Sequence, residues 1–112
     1  MQLTCAYTKY IHARVDVYYL YRGETFVWDG LKAIENRAKH GVQFERACEV
    51  FFDRLSQYSD ATADDESRMA VLGMDESEKL LFVVHVQRDV DMVRIISARV
   101  ATSQERKQYE NS

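Results

Sequence analysis

From Leu80 to Ala101 the chain carries two β-favouring runs separated by Asp89-Val90-Asp91, and this arrangement constrains the fold more than any other stretch. The first run, Leu80-Leu81-Phe82-Val83-Val84, is apolar at consecutive positions, which a strand tolerates when both its faces are covered. The pattern predicts a central strand over 80–88, a turn, and a returning strand over 92–101. Arg68 to Met74 offers a third strand, so the expected sheet is a three-stranded antiparallel meander. The hairpin register stays open. If Arg88 faces Met92, His85 shares a face with Ile95, Ser97 and Arg99. If Asp89 faces Met92, His85 and Gln87 join Arg94; a slip of one residue exchanges the faces completely.

Two helices are expected before the meander. Asp29 can cap the first, with Leu31, Ile34 and Ala38 as its apolar stripe and Lys32, Glu35, Asn36 and Lys39 on the wet side. Gly41 stops it. Val42 and Phe44 start the second, whose stripe is Phe44, Ala47, Cys48 and Phe51. Asp53 to Ser67 is polar and acidic and is expected to be a loop. Thr102-Ser103-Gln104-Glu105 is a capping box that opens a last helix, running to about Glu110. The architecture expected is α+β, with helices packed on one sheet face and chemistry on the other.

The first 24 residues follow a different pattern. Cys5, Tyr7, Ile11, Ala13, Val15, Val17, Tyr19 and Tyr21 alternate with polar residues, the period of a half-buried strand. Seventeen extended residues would span about 55 Å, too long for one strand of a small domain. Residues 13 to 21 are the expected strand, with Arg22-Gly23-Glu24 as a turn and Thr25 to Trp28 as a second short strand. The division expected is residues 1–24 as an N-terminal extension and 25–112 as the main domain.

At 112 residues the chain fits one domain, and its 46% apolar content, zero proline and four glycines exclude a disordered or linker-rich protein. No apolar stretch is long enough to span a membrane, and no basic-then-apolar leader is visible, so a cytoplasmic location is expected. Cys5 and Cys48 form no disulfide framework, and Cys48 is expected to be a buried, inert thiol in a reducing compartment. The net charge of −3 argues against a nucleic-acid binder, but its distribution is uneven. Asp60 to Glu78 holds seven acids against Arg68, a net of −6, whereas Lys79 to Tyr109 holds six bases against three acids, a net of +3. A local basic surface is compatible with that balance, as are simple solvated faces.

Cys-x-x-Cys, His-Glu-x-x-His, EF-hand and phosphate-loop motifs are absent, and no Ser-His-Asp triad assembles from His12, His40 and His85, so no cofactor and no metal are expected. The acids Asp64, Asp65 and Glu66 could hold a cation, but a solvated acidic loop is the plainer reading. What remains is arginine on strands: Arg68, Arg88, Arg94 and Arg99. A guanidinium offers phosphate a planar two-pronged donor set and stays charged at working pH. Each could equally be exposed or paired with Asp89 or Asp91, and neither Arg94 nor Arg99 reads as a core anchor.

The ordered set Phe26-Val27-Trp28-Asp29, Lys32, Asn36, Lys39-His40-Gly41-Val42, Phe44-Glu45, Ala47, Val50-Phe51 and Asp53 resembles the opening of the BrnT family of type II toxins. So do Glu66-Ser67-Arg68 with Leu72-Gly73, and above all Arg94-Ile95-Ile96-Ser97-Ala98-Arg99 with Ala101, Glu105-Arg106 and Tyr109. The resemblance covers residues 25 to 110. It implies a RelE-like fold, growth arrest by RNA cleavage, and a cognate BrnA-like ribbon-helix-helix antitoxin through which alone operator DNA is bound. It allows a toxin–antitoxin heterotetramer and implies no membrane partner.

RNA is cut without a cofactor when its 2′-hydroxyl attacks the neighbouring phosphate. Arg68, Arg88, Arg94 and Arg99 are the candidates for stabilising the crowded phosphorane. Lys32 and Lys39 are the candidates for holding the RNA backbone. His40, entered as the acid–base candidate, competes with His85 and Tyr109; His40 also suits the last helical turn, where a cation complements the dipole. The competing reading is a non-catalytic module that binds a protein through its sheet or N-terminal strand.

Overall fold

The computed structural model describes residues 15–62 and 67–112. Along these run β1 (Asp16–Tyr21), β2 (Glu24–Asp29), α1 (Gly30–His40), α2 (Phe44–Glu49), a 3-10 turn (Val50–Phe52), β3 (Gln57–Asp60), β4 (Met69–Met74), β5 (Leu80–Asp89), β6 (Met92–Val100) and α3 (Ser103–Glu110). The strands form one sheet in the order β1-β2-β6-β5-β4-β3. All neighbours are antiparallel except β2 and β6, which run parallel over Thr25–Val27 and Met92–Arg94.

The expected meander is present as β4-β5-β6, but it is the middle of a six-stranded sheet rather than the whole of it. Two features were not legible. β3 lies inside the segment expected to be a loop, because Gln57-Tyr58-Ser59-Asp60 borders only β4 and an edge strand needs no apolar alternation. β2 inserts in parallel beside β6, a non-local pairing that no local pattern announces. The N-terminal strand is present as β1, joined to β2 by a two-residue turn in which Arg22 (φ 52°) and Gly23 (φ 83°) are both left-handed, the geometry that suits a twisted hairpin. Residues 1–14, with Cys5 and His12, lie outside the described residues.

The core occupies one face. Phe26 and Trp28 of β2, Val83 of β5 and Ile95 and Ala98 of β6 pack under Phe44, Ala47, Cys48 and Val50. The second-helix stripe is as expected, except that Phe51 is only half-buried and falls on the 3-10 turn. Burial raises the Cys48 thiol above its ordinary range, in keeping with an inert buried group. Gly73 lets that turn lie against β4: a Cβ there would meet the Val50 carbonyl oxygen at 3.0 Å.

The α1 stripe is reversed. Leu31 is 42% and Ile34 67% exposed, Ala38 is exposed too, and the residue expected in water, Asn36, is 7% exposed. The cause is the departure of β2 from β6 after Val27, which leaves β6 with unpaired backbone. Asn36 fills the place of the missing strand. Its Oδ1 accepts from the Ala98 N–H at 3.1 Å, and its Nδ2 donates to the Ala98 carbonyl at 2.8 Å and the Val42 carbonyl at 3.0 Å.

The hairpin register follows neither alternative as drawn. Asp89 faces Met92, yet a register shift between Gln87 and Asp89 pairs His85 with Ile95 and Val86 with Arg94. A second shift at Ile96 pairs Phe82 with Arg99. Arg94 and Arg99, five positions apart, would face opposite ways on a regular strand; the irregularity puts both on the face away from the core.

α3 opens with the expected capping box, and two carboxylates tie it to the sheet. Glu105 accepts two hydrogen bonds from Arg99, which hold it below the usual carboxylate range. Burial raises Asp53, but bonds from Met74 N–H, Tyr109 O–H and Leu55 N–H outweigh it and leave it low. Both groups therefore stabilise α3 fully above the unfolded value of about 4, and that contribution is lost as pH falls through their lower folded values. On acidification below about pH 4, α3 amides should gain hydrogen exchange before those of β5. Simultaneous loss of protection in both elements would contradict this.

Candidate functional site

On the face away from the core, Arg94 sits at the sheet centre and is 6% exposed. Its guanidinium donates to Asp16 Oδ1 at 2.6 Å and 3.3 Å, so β1 supplies its counter-charge. Arg68 enters the same region from the residue before β4. Its backbone is pinned by the Ala61 N–H, which donates to its carbonyl at 2.8 Å, and by its own N–H donating to Thr62 Oγ1 at 3.3 Å. Arg88 lies at the register shift near the end of β5, where a bulge turns a side chain.

These three arginines, Lys32 and Asp29 line one cleft of about 230 Å³. Asp29 is also the α1 cap, accepting from the Leu31 N–H at 3.0 Å. A second groove of about 180 Å³ shares Lys32 and Ile96 with the first and is lined further by Lys39 and His40. Six of the seven residues singled out from the sequence thus lie along two adjoining depressions. Four fixed cations facing one another repel, and Asp16 and Asp29 temper that repulsion.

The seventh, Arg99, is engaged elsewhere. It forms a two-pronged pair with Glu105, at 2.9 Å on each prong, and lies 4.3 Å from the Phe82 ring centre. Arg99 does not line the cleft. Arg94 and Arg99 are therefore both anchors of the fold, contrary to expectation: each is a charge committed to a partner across the sheet. Asp16 was missed, since nothing in the β1 alternation marks which polar residue will meet an arginine 78 positions away.

The other acid–base candidates are removed from the cleft. Tyr109 donates to Asp53, and burial together with that carboxylate pushes its hydroxyl up to about 12. His85 lies on the core face, 5% exposed, with its ring edge-on to Phe51 (4.7 Å) and Tyr58 (6.0 Å). Burial lowers its pKa, so the neutral imidazole is favoured. Its buried Nδ1 has no hydrogen-bond partner among the described residues, a condition that costs about 1–3 kcal/mol. It lines a separate cavity of about 250 Å³. Among the described residues no three His, Cys, Asp or Glu gather as a metal site; Asp64, Asp65 and Glu66 fall outside them.

An α+β protein with three guanidinium groups and a lysine around one cleft is of the kind suited to phosphate-bearing ligands. Residues 28–105 match the family model of the ribonuclease toxin BrnT of type II toxin–antitoxin systems. The chain belongs to that family, and as a type II toxin it is one half of a toxin–antitoxin pair. It is similar in structure to the crystal structure of the Brucella abortus ribonuclease toxin BrnT, with a TM-score of 0.53 and 23% identity over 68% of this chain and 94% of that one. No curated protein sequence matches the chain. No helix among the described residues is long and apolar enough to cross a membrane.

Proposed function

We propose that the chain is a metal-independent endoribonuclease, and that the cleft of Arg68, Arg88, Arg94 and Lys32 is where the RNA phosphate is held. The RNA 2′-oxygen attacks the adjacent phosphorus and gives up its proton. The bond from phosphorus to the 5′-oxygen breaks, and that oxygen takes up a proton. The products are a 2′,3′-cyclic phosphate and a 5′-hydroxyl. The convergence of four cations on one cleft carries this reading, because fixed positive charge stabilises the extra negative charge of the phosphorane. His40, in the adjoining groove with Lys39, is the group best suited to move a proton near neutrality. Arg99 acts at a remove, by holding α3 beside this face.

The antitoxin, of the BrnA-like ribbon-helix-helix kind, covers the cleft with an acidic or apolar segment and carries the DNA-binding half of a toxin–antitoxin heterotetramer in the cytoplasm. Residues 25–112 are the toxin unit, and 1–24 are an addition that lends it β1. Purified full-length chain, freed of antitoxin, should shorten RNA in the presence of a chelator and leave 5′-hydroxyl ends. RNA that stays intact refutes the nuclease reading and favours the binding module. Cleavage that stops with the chelator refutes the mechanism.

A further inference from the structure

The cavity on the core face is unused by the chemistry proposed above. Phe26 and His85 form its floor, Phe51 and Phe52 its walls, and Tyr58 and Glu24 its rim. The Phe51 and Tyr58 rings meet the imidazole at 76° and 83°, so it is clamped and cannot swing to seek a partner. Its Nδ1 is left without one among the described residues, while the space beside it is about 250 Å³. A water occupies about 30 Å³, so the cavity is several times larger than a single satisfying water requires. It is smaller than the roughly 300–1,000 Å³ of sites for drug-sized ligands. One planar ring system fits that range.

The two depressions lie back to back at the hairpin end of the sheet. Arg88 and Arg94 line the cleft, and their sequence neighbours Gln87 and Val93 line the cavity on the opposite face. We propose that this cavity receives a nucleobase of the RNA strand, one bearing an exocyclic amine, and so sets which residue lies beside the cut. The proposal rests on the reading of the chain as an RNA-binding nuclease. Aromatic walls stack on any base, which is how single-stranded RNA is commonly held. Discrimination comes from the polar groups: His85 Nδ1 offers one directed hydrogen bond, and the Glu24 carboxylate can only accept. Adenine, cytosine and guanine present an amine to it, whereas uracil presents carbonyl oxygens on either side of its single N–H.

The test uses full-length protein with ¹⁵N-labelled histidine and arginine, titrated with AMP, CMP, GMP, UMP and ribose 5-phosphate. The three amine-bearing nucleotides should shift the His85 Nδ1 resonance, UMP should bind several-fold more weakly, and ribose 5-phosphate should shift arginine signals but leave His85 unmoved. A His85 signal indifferent to all four nucleotides at millimolar concentration overturns the proposal, as does an equal response to ribose 5-phosphate. In cleavage assays His85→Phe should keep the total rate within a few-fold and flatten the base preference at cut sites. Should that variant fail to fold, the exposed Glu24→Gln should erase the bias against uracil; an unchanged bias overturns the proposal. Base-dependent shifts in a protein that never cuts RNA would uphold the cavity and refute the nuclease reading, so the two failures are distinguishable.

Discussion

Arg94→Gln should lower RNA cleavage about 100- to 1,000-fold, the loss typical when one fixed donor to a developing oxyanion is removed. Arg94 is the most buried of the cleft arginines and the only one with its counter-charge, Asp16, supplied by β1. Glutamine keeps the length of the side chain and loses the two-pronged cation. The same change leaves the Asp16 carboxylate, 29% exposed, without its partner, and should cost the fold about 1–3 kcal/mol. The double variant Asp16→Asn with Arg94→Gln separates the two effects: it should recover most of the stability in a denaturant titration and none of the activity. Arg99→Gln should reduce cleavage much less, because that guanidinium is committed to Glu105 and Phe82 outside the cleft. If Arg94→Gln stays folded and cuts at the parental rate, the phosphate is held elsewhere.

Asn36→Ala should destabilise the protein by about 3–5 kcal/mol, more than a typical point substitution. Three backbone groups, the Ala98 N–H, the Ala98 carbonyl and the Val42 carbonyl, lose their partner together. Each buried group left unmatched costs about 1–3 kcal/mol, and neighbouring losses are not fully additive. Asn36→Asp tests the cause: it keeps the acceptor for Ala98 N–H but sets a carboxylate against two carbonyl oxygens, and should be no better than alanine. A loss below about 1 kcal/mol for Asn36→Ala would show that β6 does not depend on this side chain.

Asn36 marks where sequence reasoning stopped. Helix boundaries were legible because their signals are local: Asp29 and Thr102 as caps, Gly41 as a stop, and the Phe44, Ala47, Cys48 spacing. The buried face of α1 was not, because helical periodicity assigns apolar residues inward and takes asparagine for a wet residue. The available signal was the poor fit of asparagine in a helix interior, where it needs some reason to stand. The cleft was legible in its cations and not in its counter-ions. Arginine on three strands announces a basic face, but Asp16 meets Arg94 only because β1 pairs with β2 and β2 with β6. The faces of the β5–β6 hairpin depended on two register shifts that no alternation pattern encodes. Uracil discrimination and cofactor independence alike will be settled by side-chain chemistry that periodicity never addressed.

The parallel seam between β2 and β6 bears on how the protein comes into being. Thr25 pairs with Met92 and Val27 with Arg94, so the sheet joins a strand made early to one made near the end of synthesis. A growing chain can form the β1–β2 hairpin and α1 on its own, but it cannot close the sheet until residues 92–94 are available. Such distant pairings are slow to form, since the loop entropy is spent before the contact exists. Lys32 emerges early, Arg68 and Arg88 follow, and Arg94 arrives last, so no partial translation product holds a complete cleft. The nascent toxin is harmless by topology, and its potency switches on only with the finished chain.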